Sequence, residues 1–199
     1  MTLPERIHLV DRDAALVRAW RESLADQGAF VVERRDYFDV RADAMVSPAN
    51  SFGVMDGGID KSIHETLGSA VQARVFERIR EHHHGELHVG VAEIVDTDDE
   101  RWPMLVVAPT MRVPEDVSRT VNAYVAFRAI LLAVRRHNAS GRRAIRTLLC
   151  PGLGTGVGGM PARRCATQMR LAYLQVTSPP ALPSFGTIHA THGRMKTEA

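Results

Sequence analysis

The sequence predicts one α/β domain in which a mixed central sheet lies between two layers of helices, a three-layer α/β/α sandwich. Short apolar runs alternate along the chain with longer stretches in which apolar residues recur at helical spacing. Two of these apolar runs lead into glycine-rich segments, at residues 46–60 and 147–160. Ligands of such sheets bind outside the carboxyl ends of the strands, so both segments are expected on one rim and in one cleft.

The elements follow from local patterns. Apolar runs predict strands at residues 7–10, 30–33, 44–49, 89–95 and 104–108, and a further strand from Thr147. Helical spacing predicts a helix capped by Asp13 that ends before Gly28, a helical region over 59–81 broken near Gly68, a long helix over 115–137 and a last helix over 161–176.

The domain is expected to occupy residues 1–177. Prolines and a glycine follow from Ser178, so residues 178–199 are predicted to form a loose Pro-containing tail that folds back over the body or lacks fixed structure.

Composition suits a cytoplasmic protein with one core. The chain has 199 residues, of which 45% are hydrophobic, and a net charge of +2, which gives little support for a nucleic-acid surface. The first residues lack the pattern of a signal peptide, and no run of ~18 apolar residues predicts a membrane span. Cys150 and Cys165 suggest no disulfide framework and are expected to stay reduced.

The first glycine-rich segment places polar groups where a strand ends. Asn50 is expected at the carboxyl end of the strand, and Asp60 at the start of the next helix. Gly57 and Gly58 let the backbone approach a ligand closely. The pattern is typical of a site for a phosphorylated sugar. The alternatives are that the Asn50 side chain hydrogen-bonds to the backbone of its own turn and that Asp60 is the N-cap of the helix.

The second segment reads as a strand, a glycine-rich loop and a helix from near Met160. Successive N–H groups from Thr155 to Gly158 would form an anion site, and we expect a diphosphate there. A dinucleotide fold fails because no acidic residue lies between Met160 and Lys196. A P-loop fails because Met160 stands where lysine is required.

Other chemistries have weaker support, and neither a metal nor a cofactor is predicted. The histidines at 82, 83, 84 and 88 lack the spacing of a zinc site, and His64-Glu65 is followed by Gly68 in place of a second ligand. Cys150 is interpreted as strand packing, and no serine-hydrolase elbow is present.

Together the two segments resemble the macrodomain family over roughly residues 36–176. The residues that carry the resemblance are Ala44-Met-Val-Ser-Pro-Ala-Asn50, Gly57-Gly-Ile-Asp60 and Gly154-Thr-Gly-Val157. The resemblance implies a domain that recognises ADP-ribose, free or attached to a macromolecule. Nucleic acid is then expected as a partner only if it carries this modification.

The resemblance also implies roles for individual residues. The Asp36 carboxylate would accept a hydrogen bond from the adenine amine, and the backbone N–H of Tyr37 would add a second contact. Asn50 would hydrogen-bond to the hydroxyls of the distal ribose. The turn with Gly57, Gly58 and Ile59 would also contact the ligand. The diphosphate would lie on the loop formed by Gly154, Thr155, Gly156, Val157 and Gly158.

Hydrolysis of ADP-ribosyl conjugates, of the mono-ADP-ribosyl or O-acetyl-ADP-ribose type, is implied by Asp60 together with Asn50. Asp60 fills the position that orients or activates water near the distal anomeric carbon in hydrolytic members. The alternatives are a non-catalytic reader of ADP-ribose and a phosphatase acting on ADP-ribose 1''-phosphate. The chain departs from many members at Gly158, where an aromatic residue often covers the ribose; Phe52 or Phe185 could replace that cover.

Overall fold

The structure is a computed structural model that describes residues 2–197. Met1 and residues 198–199, the outer ends of the predicted domain and tail, lie outside the described residues. The strands are β1 (Arg6–Asp11), β2 (Phe30–Arg34), β3 (Ala44–Ser47), β4 (Glu93–Asp96), β5 (Met104–Val107) and β6 (Thr147–Cys150). The helices are α1 (Ala14–Leu24), α2 (Gly58–Leu67), α3 (Ser69–His83), α4 (Asn122–Asn138), α5 (Ala162–Thr177) and α6 (Phe185–Thr197), with a 3-10 turn at Tyr37–Asp39.

The strands form one mixed sheet in the order β2-β1-β6-β3-β5-β4. Every neighbouring pair is parallel except β4 with β5, which places an antiparallel strand at one edge. The register pairs Ile7 with Leu148 and Ala44 with Leu148, so β6 lies between β1 and β3. The carboxyl ends of β2, β1, β6, β3 and β5 therefore meet at one edge of the sheet.

Helices cover both faces of the sheet, as predicted. Strands β3 and β5 are buried along their whole length, which explains why every residue in them except Ser47 is apolar. On one face α1, α4 and α5 supply a core that includes Trp20, Phe127 and Met169. On the other face α2 and α3 supply a second core around Ile63 and Val75. The three-layer α/β/α prediction is confirmed.

The helical region over 59–81 divides at Gly68, as the sequence predicts. Gly68 has a φ of +83°, a conformation that favours glycine, and its N–H donates to the His64 carbonyl at 2.8 Å. α2 ends there and α3 begins at the next residue.

Two predicted elements begin later than expected. The helix predicted from residue 115 starts at Asn122, so Val117 and Val121 lie outside it. Local bonds compete with the helix because the Asp116 carboxylate accepts from the Ser118 N–H at 2.7 Å, and the Val117 N–H donates to the Gly158 carbonyl at 2.9 Å. The strand predicted over 89–95 starts at Glu93.

Residues 185–197 of the predicted tail form a helix, α6, which packs against the body of the domain. Met195 is buried on this helix, and the buried Gln168 side chain of α5 donates to its carbonyl at 3.0 Å. Phe185 and Leu182 remain exposed at the other end of the segment. In the part of the chain that the structure describes, no helix has both the length and the apolar sequence needed to cross a membrane.

Candidate functional site

A cleft of about 360 Å³ opens at the carboxyl edge of the sheet. Both glycine-rich segments line it, the first through Asn50 and residues 57–60 and the second through residues 154–158. Asp11 and Asp13 line it as well. A larger pocket of about 440 Å³, lined by Asp96 and Met104 among others, lies at the opposite edge and holds none of the predicted site residues. We therefore take the carboxyl-edge cleft as the candidate site.

The second loop presents backbone amides to the cleft. Within residues 2–197, the four N–H groups from Thr155 to Gly158 have no protein acceptor. Two turns shape the loop: the Gly159 N–H donates to the Gly156 carbonyl at 3.0 Å, and the Met160 N–H donates to the Gly154 carbonyl at 2.9 Å. Successive unpaired N–H groups of this kind form an anion-binding concavity.

Two glycines of this loop are required by its packing. A Cβ at Gly158 would lie 2.5 Å from Val117 Cγ2 and 2.6 Å from the Gly154 carbonyl oxygen. Gly154 has a φ of +72°. At Gly156, by contrast, a Cβ would meet no atom within 4 Å. Gly158 therefore packs closely against Val117, and an aromatic residue at position 158 would have no room for its side chain.

The amino end of α2 adds further donors to the same cleft. Its N-cap is Gly57, which has no side chain to cap the helix, and Gly58 has a φ of +55°. The N–H groups of Gly58, Ile59 and Asp60 have no acceptor in the described chain. The amino end of a ten-residue helix carries partial positive charge, which favours an anion at this side of the cleft.

Asp60 is a buried carboxylate on the first turn of α2. Its side chain accepts a hydrogen bond of 2.6 Å from the Ser47 hydroxyl at the end of β3, and only 7% of the residue is exposed. Burial raises the pKa of Asp60 to about 6, although the Ser47 hydrogen bond acts in the opposite direction. Asp60 is not the helix cap, since Gly57 holds that position. Such a carboxylate is poised to exchange a proton with water near neutral pH.

Asn50 lines the cleft, but its amide holds the first loop together. Its Nδ2 donates to the Val54 carbonyl at 2.7 Å, while its Oδ1 accepts from the N–H groups of Phe52 at 3.0 Å and Val54 at 3.3 Å. The turn interpretation of Asn50 is therefore correct. Its contact with a ribose stays a prediction.

Asp36 and Tyr37 follow β2, next to the end of β1. The Asp36 carboxylate accepts from the Phe38 N–H at 2.9 Å and pairs with Arg12. The Phe38 N–H is the main reason that the pKa of Asp36 lies below its usual value, and Arg12 adds to it. The Tyr37 hydroxyl is buried between strands, donating to the Val46 carbonyl at 2.8 Å. The Tyr37 side chain thus belongs to the core, which leaves its backbone N–H as the predicted contact.

Two residues line the cleft that the sequence did not predict, and some residues considered from the sequence do not line it. Asp11 and Asp13 were not predicted as cleft residues, although a polar residue at the end of an apolar strand was the available signal. Phe52 and Phe185 are absent from the described lining of the cleft.

Cys150 is fully buried, and burial raises the pKa of its thiol well above its ordinary value. A thiol in this state is a poor nucleophile.

The histidines near the end of α3 make local contacts with carboxylates. His83 lies 2.8 Å from Glu93, and His88 lies 3.6 Å from Glu86. Across residues 2–197, no group of three or more His, Cys, Asp or Glu side chains is arranged to hold a metal ion.

Comparison with known proteins identifies the family. A family model described as Macro domain matches residues 46–169, which is more than half of the chain. The chain belongs to the Macro domain family. An uncharacterized protein of Aquifex aeolicus (strain VF5) is 30% identical to this Macro domain protein over 131 residues, covering 66% of this chain and 72% of the relative. A second uncharacterized protein, from Aeropyrum pernix, is 30% identical over 158 residues, covering 78% of this chain and 75% of the relative.

Solved structures agree with the Macro domain assignment at the level of the fold. The macrodomain of Mycobacterium tuberculosis DarG has a TM-score of 0.59 and 21% identity, covering 75% of this chain and 95% of its own. The Oceanobacillus iheyensis macrodomain with ADP has a TM-score of 0.56 and 21% identity, covering 67% and 68%. A mutant of the same macrodomain with ADPR has a TM-score of 0.56 and 19% identity, covering 67% and 70%.

Proposed function

We propose that this Macro domain protein binds ADP-ribose in the carboxyl-edge cleft and hydrolyses ADP-ribosyl conjugates, of the mono-ADP-ribosyl or O-acetyl-ADP-ribose type. The observation that carries the proposal is the convergence of two sets of unpaired amides, from residues 155–158 and from the amino end of α2, with the buried carboxylate of Asp60. The Oceanobacillus iheyensis macrodomain, whose solved structures include one with ADP and one with ADPR, has the same fold.

The loop amides suit the diphosphate. Residues 155–158 offer four N–H donors in succession, and β6, which leads into them, lies beside β3 in the sheet. A diphosphate on this loop would leave the distal ribose over the end of β3, beside Ser47 and Asp60. Backbone donors bind an anion without long side chains that must be ordered.

Asp60 supports the hydrolytic part of the proposal. Above pH ~6 the carboxylate is ionised, so it can accept a proton from a water molecule that attacks the distal anomeric carbon. In a mono-ADP-ribosyl conjugate the bond between that carbon and the attached group breaks as the new C–O bond forms, and the attached group leaves with the bonding electrons and takes up a proton from solvent. A nearby negative charge also stabilises the oxocarbenium-like transition state. In O-acetyl-ADP-ribose the activated water would instead attack the acetyl carbonyl carbon; the ester C–O bond breaks, the ribose oxygen takes up a proton, and acetate is released.

The test is release of ADP-ribose from mono-ADP-ribosylated protein and from O-acetyl-ADP-ribose. Wild-type protein is expected to turn over at least one of these conjugates. Asp60→Asn is expected to lower kcat by ~10²-fold or more, the range of a general base, while ADP-ribose binding by calorimetry persists. Glu65→Gln, on the exposed surface of the same helix, is the matched control. No turnover of either conjugate by the wild-type protein would defeat the hydrolase claim.

A non-catalytic reader is the second candidate function. Its motivation is the Asn50 amide, whose oxygen already accepts two hydrogen bonds within the first loop, which leaves one Nδ2 hydrogen to hold a ribose hydroxyl. A reader would bind ADP-ribose without turnover, and Asp60→Asn would leave its affinity unchanged. Inorganic phosphate measured with ADP-ribose 1''-phosphate as substrate separates both candidates from a phosphatase.

A further inference from the structure

The carboxyl edge of the sheet has an order that matches the order of groups in ADP-ribose. Going inward from one side, the sheet runs β2, β1, β6 and β3, and these strands are all parallel. Asp36 follows β2, the amide loop at 155–158 follows β6, and Asp60 hydrogen-bonds to Ser47 at the end of β3. In ADP-ribose the groups run adenine, ribose, diphosphate, distal ribose.

The end of β1 is therefore the position left for the adenosine ribose. If adenine lies at Asp36 and the diphosphate at 155–158, the group between them lies over β1, whose last residue is Asp11. Asp11 lines the cleft in this position. This step rests on the proposed function, because it assumes that the cleft takes ADP-ribose.

One oxygen of Asp11 is available to a ligand. Its Oδ1 accepts from the Asp13 N–H at 2.8 Å, which fixes the carboxylate at the start of the turn into α1. Its Oδ2 faces the second loop and lies 3.3 Å from the position that a Cβ on Gly152 would occupy. A Cβ there would also clash with Thr155 Oγ1 and lie 2.7 Å from Leu16 Cδ2, so the glycine at 152 lets the beginning of the amide loop pack closely beside the carboxylate.

Carboxylates outnumber guanidinium groups at this end of the cleft. Asp13 also lines the cleft, the guanidinium of the intervening Arg12 pairs with Asp36, and Arg34 Nε donates to the Arg12 carbonyl at 3.1 Å. A carboxylate can only accept hydrogen bonds, so it suits a ribose hydroxyl and repels a phosphate in the same place. A site that bonds a hydroxyl discriminates strongly against analogues that cannot make that bond.

We propose that Asp11 is a specificity-determining residue that accepts a hydrogen bond from the 2'-hydroxyl of the adenosine ribose and rejects nucleotides that carry a 2'-phosphate. The protein would then act on ADP-ribosyl groups derived from a dinucleotide without the 2'-phosphate.

The experiment compares the dissociation constants of ADP-ribose and 2'-phospho-ADP-ribose by calorimetry. Wild-type protein is expected to bind ADP-ribose at least tenfold more tightly. Asp11→Asn keeps an oxygen for the Asp13 N–H, so it is expected to fold, which thermal unfolding checks. The Asp11→Asn variant is expected to reduce the preference for ADP-ribose over 2'-phospho-ADP-ribose at least fivefold, partly because it binds ADP-ribose more weakly. Asp39→Asn, an exposed acid absent from the described cleft lining, is expected to keep the wild-type ratio.

Three results separate the claims. Equal binding of both ligands by the wild-type protein overturns the role of Asp11, and so does an unchanged ratio in Asp11→Asn. If the wild-type protein binds neither ligand, the proposed function fails first and this inference falls with it. A merely structural role for Asp11 would weaken both ligands in parallel and leave their ratio intact.

Discussion

Replacing Asp60 by asparagine is expected to stabilise the protein at neutral pH, although the same change is expected to lower the proposed hydrolytic rate. Burial raises the pKa of Asp60 from 3.8 to about 6, so between these values the folded protein holds more protons than the unfolded chain. The free energy of unfolding therefore falls as the pH rises through this window. A difference of about two pKa units corresponds to ~3 kcal/mol of stability that the ionised carboxylate removes at pH 7.

Asparagine has no such charge, and its Oδ1 can still accept from the Ser47 hydroxyl. Its buried NH₂ group costs ~1 kcal/mol if it lacks an acceptor, so the net gain at pH 7 is ~2 kcal/mol, or ~4–8 °C in melting temperature. The pH dependence is a sharper signature because the amide cost is the same at every pH. Relative to the wild type, the variant should gain ~2–3 kcal/mol between pH 4 and pH 8.

Urea unfolding of both proteins at pH 4, 5, 6, 7 and 8 measures this difference. Glu65→Gln, an exposed acid on the same helix, should change the free energy of unfolding by less than ~0.5 kcal/mol at each pH. A difference between Asp60→Asn and wild type that stays constant from pH 4 to pH 8 would show that burial does not raise the pKa of Asp60, because the carboxyl would then ionise alike in the folded and unfolded chain.

The remaining predictions concern the strand ends, the second loop and the reaction. Tyr37→Phe removes the hydroxyl that accepts from the buried Val46 N–H and donates its one hydrogen to the Val46 or the Leu149 carbonyl, so urea unfolding should show a loss of ~1–3 kcal/mol, while calorimetry should find ADP-ribose affinity unchanged. Gly158→Ala should cost ~1–3 kcal/mol in the same unfolding assay because its Cβ has no room, whereas Gly156→Ala should cost less than ~1 kcal/mol. Initial rates of ADP-ribose release should fall as the pH drops through about 6, where Asp60 takes up a proton; a rate independent of pH between 5 and 8 would count against a base at this position.

The sequence was sufficient to predict the fold because its signals are local and mutually consistent. The strand Met104–Val107 is apolar along its whole length and Ala44–Ser47 is apolar except for Ser47 at its end, which is typical of parallel strands buried on both faces. Glycine at residue 68 divided the second helical region where it was expected. The two glycine-rich segments meet in one cleft because both follow strands whose carboxyl ends share an edge.

The parts that could not be predicted depend on contacts between distant segments. Val117 fits the apolar spacing of α4, yet its N–H bonds the Gly158 carbonyl and its side chain packs on the second loop. Asp11 becomes a cleft residue only because β1 lies beside β6, and the sequence of either strand alone does not predict the order of strands in the sheet. α6 has a weak helical pattern and is held by Met195 and by the Gln168 side chain of α5.

The most direct test of the central claim is a crystal structure of the protein with ADP-ribose. We expect diphosphate oxygens within hydrogen-bonding distance of the N–H groups of residues 155–158, and a water molecule between Asp60 and the distal anomeric carbon. Density for ADP-ribose elsewhere on the protein, or a diphosphate that makes no contact with this loop, would contradict that claim.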